Sequence, residues 1–485
     1  MSKNVTLLLI LILITLSIIT FVPVKAEAKT IIVPDDYSSI QDAVNSAIDE
    51  DTIFVKKGTY EAPLNQTLTI DKAISLIGED PEKTIINLHP PLVPMSIFTY
   101  SFMGYSDALK IEADNVKLSG LTIRSNRPVT VSGSGGISLA GEGIQITGSI
   151  INTSIIGFGN RTQIIKNMVE SINLQGFNQI VLQNTLRGGI GEGEFLLSCT
   201  GANNTIVANK MSGEIGGICV KGSNNFVGGN SITNTSGING ALVINGDKNI
   251  IAKNDATNVT NGVSIGGSSN VFYGNKVVSN LVIVGNDNIF YANYLQGLVL
   301  GNRINDASNN TFYHNYFDFV VNDALTEGEK TFTIWEGVKG TNFLDNDKEG
   351  NYWSDYKGYD FTFDGIGDTP YVIDAKDPLN YHNIADFNIA NVTLTDHYPL
   401  ISPFNINSVR VDLPEWVTDS SIMEELPDFS LPEYPTPFPT AWIIIVAASV
   451  GATITAVLVY FVKVKKSRLS KGKSRLSSVV SSGHR

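Results

Sequence analysis

Cysteine is nearly absent. The 485 residues hold two, Cys199 and Cys219, so no disulfide framework can hold a fold of this size. Charged residues make up only 17% of the chain and histidine numbers 5, with no His or Met cluster of the kind soft metal sites use. Patterns long enough for paired helices are missing. Positive charge is scarce wherever the chain would face a nucleic acid. Setting aside Lys3, Lys25 and eight cations near the C-terminus leaves 24 basic against 47 acidic residues, a net of −23. Such a surface repels a phosphate backbone, so no nucleic-acid partner is expected. Cations, neutral glycans or a salt-rich medium suit it better.

What the chain does have is a repeat. Eight segments end in Asn on one apolar frame: RTQIIKN, NQIVLQN, NNTIVAN, NNFVGGN, KNIIAKN, SNVFYGN, DNIFYAN and NNTFYHN. The closing residues are Asn167, Asn184, Asn209, Asn230, Asn254, Asn275, Asn293 and Asn315, spaced 17, 25, 21, 24, 21, 18 and 22 apart. Three residues before each stands Ile164, Val181, Ile206, Val227, Ile251, Phe272, Phe290 or Phe312. Two residues after each stands Val169, Leu186, Met211, Ile232, Ala256, Val277, Leu295 or Phe317. A fixed frame with variable loops marks a stacked repeat. The unit is short, β-branched and bounded by Asn and Gly, which reads as strand, bend, strand. Coils of this kind stack about 4.8 Å apart. At the bend, Asn tolerates left-handed backbone, and a column of amides donates and accepts along itself. Unrelated hairpins would not keep the offsets on both sides of the Asn.

Both termini carry membrane signals. Lys3, the apolar run Val5–Val22 and the small residues of VKAEA read as a signal peptide, residues 1–26, cleaved after Ala26 or Ala28. An uncleaved anchor is the rival. Residues 441–462 form an uncharged apolar segment, which as a helix reaches roughly 33 Å and spans a bilayer core. Residues 463–485 follow with basic residues only, placing the tail in the cytoplasm and the rest outside. Residues 403–440 include the Pro-rich PDFSLPEYPTPFPT, an extended stalk. The expected location is therefore the cell membrane, single-pass, with envelope or extracellular glycan partners.

Between these ends, residues 27–88 read as a starting module. Ser38 and Gln41 make a capping box before a short helix. Ile40, Val44 and Ile48 share its buried face, with Ala43 and Ala47 beside them, and it lies over the first coil. Residues 89–317 are the repeats, interrupted by a Pro- and aromatic-rich loop at 89–108 and a Gly/Ser excursion near 127–143; between them DNVKLSGLTIRS resumes the coils with Gly120 at the bend. After Phe317 the register is lost, and residues 318–402 read as a different module at the opposite end.

The opening VPDDYSSIQDAV…DTIFVKKGTY…ISLIGE, the Asn-centred coils and the closing GNYWSDY…GDTPYVID…DHYPL resemble the NosD-type parallel β-helix family over most of residues 30–400. The resemblance implies an all-β, right-handed, single-stranded parallel β-helix, here with an N-terminal capping helix and a C-terminal transmembrane helix. That fold is shared with pectate lyases and other carbohydrate-binding or sugar-hydrolase β-helices. The family's name comes from a periplasmic accessory protein for copper-site maturation. Members with a stalk and anchor look like archaeal cell-surface proteins.

Fold does not carry function with it. The leading reading is a non-catalytic surface protein that binds polysaccharide or builds the envelope. A polysaccharide lyase or glycoside hydrolase is the alternative, and a copper accessory role the second. Tyr273, Tyr291 and Tyr313 recur at one coil position and form a sugar-stacking ladder if they face outward; if inward, they are core. Glu192 and Glu194 could point together from a strand, though a solvated turn is the plainer reading, and no acid/base pair is assigned. Asp360, Asp364 and Asp368 in DFTFDGIGD resemble a calcium loop, with a hydrogen-bonded turn as the rival. Cys199 and Cys219 lie about one coil apart, close enough to stack as a disulfide or as two buried hydrophobes; a two-thiolate copper site is disfavoured. His89, His314, His382 and His397 read as ordinary surface or turn residues. Glycosylation sequons stand at Asn65, Asn152, Asn160, Asn203, Asn234, Asn258, Asn309 and Asn391.

Overall fold

The computed structural model describes residues 27–97, 100–126, 136–188, 195–213, 215–235, 240–301, 306–318, 332–334, 341–375 and 392–408. The signal peptide, the stalk beyond Ser408, the 441–462 segment, the basic tail, Glu192, Glu194, His382 and Asn391 lie outside these residues. Among the described residues no helix is long and apolar enough to cross a membrane.

Two long sheets run the length of the repeat. One has 13 strands, each pairing with its equivalent one coil on, from Thr30–Val33 to Thr311–Tyr313. The other has 21 strands. Pairings in both are parallel, as in Ile180↔Thr205 and Leu186↔Met211. This is a parallel β-helix, and its core is the column between the sheets. All sixteen apolar positions flanking the ladder asparagines are at most 2% exposed. From Phe272 onward the inner column turns aromatic: Phe290 stacks on Phe312 at 4.7 Å, and Phe317 on Trp353 at 4.3 Å. Each such buried side chain contributes about 1.5–3 kcal/mol by leaving water.

The asparagines form the expected ladder. Each backbone N–H donates to the side-chain oxygen of the next coil, from Asn167→Asn184 at 2.9 Å to Asn293→Asn315 at 3.1 Å. Each amide also donates to a carbonyl, as Asn230 Nδ2 does to Ile206 O at 2.9 Å. The ladder begins on Ser149, whose N–H donates to Asn167 Oδ1 at 2.9 Å. It ends on Asp396, whose Oδ2 accepts from Asn351 N at 2.7 Å and Trp353 Nε1 at 2.8 Å. A carboxylate only accepts, so it closes the column without needing a further coil.

One expectation about these residues is corrected. The left-handed residue is not the ladder Asn but the one before it: Lys166, Gln183, Ala208, Gly229, Lys253, Gly274, Ala292 and His314 have φ between 53° and 63°. A second ladder, unforeseen, runs five residues earlier through Gln179, Asn204, Asn225, Asn249, Asn270, Asn288 and Asn310, and ends on Asn342. Its members also follow left-handed residues, such as Asn203 and Asn224. At a third corner glycines stack so closely that a Cβ on Gly222 would stand 2.1 Å from Gly201 O. The coil is held at three corners, two by amides and one by the absence of a side chain.

The ends differ in detail from expectation. The helix is Ile40–Ser46, with Ser39 as its N-cap accepting from Asp42 N at 3.3 Å. Gln41 is not part of a capping box; it bonds the backbone of Thr69 on the following coil. Ile40, Ala43 and Val44 enter the core, but the helix stops before Ile48, which is 41% exposed. Leu92–Ile97 pairs antiparallel with Tyr100–Tyr105, where a loop was expected. The register is not lost after Phe317 either. Following a longer excursion, Asn342 and Asn351 rejoin the two ladders, and Tyr352–Trp353 pairs with Tyr316–Phe317. GNYWSDY is therefore one more coil. Asp396 reaches it from the antiparallel pair Tyr371–Ala375 with Val392–Asp396.

Candidate functional site

The residue after each ladder Asn points out of the second sheet. In the last coils that residue is Tyr294, Tyr316 or Tyr352, stacked in register. Their neighbours Leu295, Phe317 and Trp353 point inward and are buried, which fixes the alternation. The rings meet edge to face, with centroids 5.1 Å apart for Tyr294–Tyr316 and 4.8 Å for Tyr316–Tyr352. All three are partly exposed. Beside them stands a polar row two residues on: Gln296, Asp318 and Ser354. The Tyr294 hydroxyl donates to Asp318, and Gln296 Nε2 donates to that hydroxyl at 3.4 Å. Burial first, then the Asp318 carboxylate, push the Tyr294 hydroxyl up to about 12. The result is a braced aromatic strip flanked by amide, carboxylate and hydroxyl. Sequence reasoning missed it, although the signal was present: three tyrosines each directly follow a ladder Asn.

The tyrosines singled out from sequence sit elsewhere. Tyr273, Tyr291 and Tyr313 do stack on the 13-stranded sheet, with centroids 4.9 and 5.4 Å apart and nearly parallel planes. They alternate with the core residues Phe272, Phe290 and Phe312, so they leave the sheet on its outer side. Tyr273 and Tyr313 are nevertheless 5% exposed. Burial pushes the Tyr313 hydroxyl well above the ordinary range. Only Tyr291 is partly open. The ladder is real but belongs to a covered outer layer.

A second polar row lies near the N-terminal end. Glu61, Asn87, Arg124 and Asn152 occupy equivalent positions on successive coils. Glu61 Oε1 accepts from Asn87 Nδ2 at 2.6 Å, and its Oε2 meets His89 Nε2 at 2.8 Å. These two contacts hold the Glu61 carboxyl below its usual value.

The other predicted sites resolve as follows. Asp360 Oδ1 accepts from Phe363 N at 2.6 Å, Thr362 Oγ1 at 3.2 Å and Asp364 N at 3.3 Å, and Oδ2 accepts from Gly365 N at 2.9 Å. Slight desolvation raises its pKa, but the Gly365, Phe363 and Asp364 N–H groups outweigh that and hold it low. Asp364 accepts from Ile366 N at 3.0 Å, and Asp368 from Phe361 N at 2.5 Å. The three carboxylates thus brace a turn that presents Tyr359, Phe361 and Phe363 to solvent. Cys199 and Cys219 are both buried, and no disulfide joins them. Of the two readings left open, buried hydrophobes describe them and a disulfide does not, because Ser198, not Cys199, is the partner of Cys219. A one-residue offset puts the two thiols on opposite faces of the sheet. Of the sequons, Asn65, Asn152, Asn203, Asn234, Asn258 and Asn309 are exposed, and Asn160 is partly so.

A family model described as the periplasmic copper-binding protein NosD matches residues 119–358, just under half of the chain. No curated protein matches the chain in sequence. Among solved structures, a PL6 alginate lyase in complex with a trisaccharide is similar at 12% identity and a TM-score of 0.45, over 68% of this chain and 86% of that one. A PL6 polysaccharide lyase from Pseudopedobacter saltans is similar at 15% identity and 0.36, over 67% and 94%. The A-module of an Azotobacter vinelandii mannuronan C-5 epimerase is similar at 14% and 0.34, over 66% and 90%. Likeness this distant assigns no chemistry.

The donors among the described residues do not fit a copper site. His89, His314 and His397 pair with Glu61, Glu349 and Asp345, and the two thiols face apart. Among the described residues no three His, Cys, Asp or Glu side chains converge. Residues 119–358 are thus similar to the NosD family model, and the part of the chain they span is a coil of parallel strands with ladder asparagines and an inner apolar column.

Proposed function

We propose that this protein binds an extended glycan along the tyrosine strip of its last coils, outside the cell, without cleaving it. The observation that carries the reading is the strip itself. Tyr294, Tyr316 and Tyr352 recur at about one sugar length along the axis, with ring centroids 5.1 and 4.8 Å apart, beside the hydrogen-bonding row Gln296, Asp318 and Ser354. Aromatic faces and edges take the apolar faces of sugars, while flanking amides and carboxylates take hydroxyls. The carboxylates bordering the strip are already engaged, Asp318 by the Tyr294 hydroxyl and Asp355 by the Tyr371 hydroxyl at 2.7 Å. That arrangement supports holding a polymer over proton transfer to it. The signal peptide, the stalk and the apolar 441–462 segment support presentation from a membrane anchor.

Cleavage is the second reading, and the Glu61–His89 pair is the observation that favours it. One experiment separates the two. The purified protein is incubated with neutral and uronate-rich polysaccharides, and both binding and products are measured. Binding that weakens about tenfold in Tyr316→Ala, with no products, is the expected result. New reducing ends or unsaturated products that vanish in Glu61→Gln would replace binding with catalysis. No retention of any polysaccharide would remove the glycan reading.

A further inference from the structure

The tyrosine strip is one end of a longer row. On the outer face of the 21-stranded sheet, strand pairing carries a single position from coil to coil without a break: Tyr352, Tyr316, Tyr294, Lys276, Asp255, Ser231, Lys210 and Thr185. The residues that follow the last five, Val277, Ala256, Ile232, Met211 and Leu186, are at most 2% exposed, so the row faces outward below the tyrosines as well. Arg187 stands two residues beyond Thr185 and leaves the sheet on the same side. At about 4.8 Å a coil, the row from Thr185 to Tyr352 spans roughly 34 Å.

Below the tyrosines the row changes character. Arg187, Lys210 and Lys276 are exposed. Among the described residues none of these three side chains forms an ion pair. Nearer the N-terminus the cations Lys56, Lys110 and Arg161 are held by Asp35, Glu112 and Glu142. The acids of the row are less available than its cations. Asp318 is engaged by the Tyr294 hydroxyl, and Glu170, one coil beyond Arg187, already has a partner. Asp255 is half-buried, its Oδ1 is closed off from solvent, and it does not pair with Lys276 on the adjoining coil. Unpaired cations thus line up on one face of a strongly acidic chain. At physiological salt, charges more than about 8 Å away are largely screened, so a group bound at this face feels the local cations and not the distant acids.

We infer that the glycan of the proposed function is a polyanion. Its sugars stack at Tyr294, Tyr316 and Tyr352, and its acidic groups meet Lys276, Lys210 and Arg187 as the polymer continues along the same row. This rests on the glycan reading and adds the charge of the ligand and the path of its remainder. Lys276 and Lys210 are separated by three coil steps, roughly 14 Å, so one sugar cannot reach both and a chain can. The hydroxyls of Ser231, Thr233 and Thr257 fill the interval and suit sugar hydroxyls. A carboxylate and a sulfate ester share the chemistry this row recognises.

The test measures binding of the full chain to four polymers of matched length: polygalacturonate, dextran sulfate, neutral dextran and polyglutamate. An acidic polysaccharide should bind most tightly, and the tighter of the two names the acidic group. Lys210→Gln/Lys276→Gln should weaken that binding about tenfold, and Asp255→Asn should strengthen it. Salt raised from about 0.15 to about 1 M should weaken it as well. Lys210 and Lys276 are exposed, so melting curves of the double variant should match those of the unaltered protein. Neutral and acidic glycans held equally, with no response to the double variant, would overturn the inference and leave the glycan reading standing. Polyglutamate held as tightly as the acidic glycans would overturn it by removing the sugar from recognition. Acidic glycan that stays bound in Tyr316→Ala while neutral glycan is released would separate the cations from the strip and overturn the single row. Retention of none of the polysaccharides would remove the glycan reading itself, and this inference with it.

Discussion

Asn230 shows what a single ladder residue does. Its Oδ1 accepts from the N–H and the Nδ2 of Asn209, both at 3.0 Å, and its Nδ2 donates to Ile206 O and Asn254 Oδ1, both at 2.9 Å. Asn230→Ala strands these groups in the interior. At about 1–3 kcal/mol for each unsatisfied group, the loss should reach roughly 3 kcal/mol or more in denaturant melts. Asn230→Asp should be worse at pH 7 than at pH 4, because a buried carboxylate cannot donate and is relieved by a proton. Asp396 is the natural counterpart at the ladder's end. Burial raises its pKa to about 6, against the N–H groups of Asn351, Trp353 and Tyr398, with the Asp345 charge adding to the rise. The folded state then holds this proton more tightly than the unfolded chain does. Its stabilising contribution is complete below about pH 4 and is lost as the pH rises through about 6. The difference in melting temperature between wild type and Asp396→Asn should shift across that window and stay level above pH 7. A flat difference from pH 4 to 7 would mean the carboxyl is ionised throughout.

At the scale of elements, sequence patterns were most informative where they repeat. The frame around each Asn fixed the inner column because an alternating strand leaves one choice of face once register is known. The second ladder was equally present, five residues earlier, but Thr162 and Gln179 break its run of asparagines. The last coil was hidden because the interval from Asn315 to Asn351 is 36 residues, far from the usual spacing. Exposure could not be read for the outer tyrosines, since Tyr273 and Tyr294 are both one position from an inward residue, yet Tyr273 is 5% exposed and Tyr294 is partly open. The cysteine alternatives could not be decided from spacing alone: 20 against a local coil of 21 is one residue off, and one residue reverses the face. The helix was legible in its buried residues and not in its length. Val44 is fully buried in the core cluster. Val44→Asp should therefore cost several kcal/mol and lower the melting temperature sharply, whereas Ile48→Asp should change it little. Equal effects would mean the helix does not hold the first coils.

For the whole molecule, the consequence of this architecture is that stability is local. Each coil touches its two neighbours through strand pairing, two amide ladders and the inner column, and contacts between distant coils are not part of the stack. A solenoid of this kind behaves nearly as a one-dimensional chain of coupled units. A defect in the middle should weaken its neighbours and fade with distance. Asn254 couples the Asn230 coil to the Asn275 coil: its Oδ1 accepts from Asn230 N at 3.1 Å, and its N–H donates to Asn275 Oδ1 at 2.9 Å. In Asn254→Ala, native-state hydrogen exchange should therefore quicken first in Phe226–Gly228, Ile250–Ala252 and Val271–Tyr273, the strands on either side of the break. Strands near the start, Thr52–Val55 and Ser75–Gly78, lie many coils away and should keep their protection. The aromatic column from Phe272 to Trp353 should make the response asymmetric. Stacked rings add about 0.5–1.5 kcal/mol per pair beyond their burial, so coils on that side should lose less than the Val- and Ile-lined coils before the break. A uniform loss of protection along the chain would mean that the whole β-helix unfolds as one cooperative unit and that coil-by-coil coupling is the wrong description.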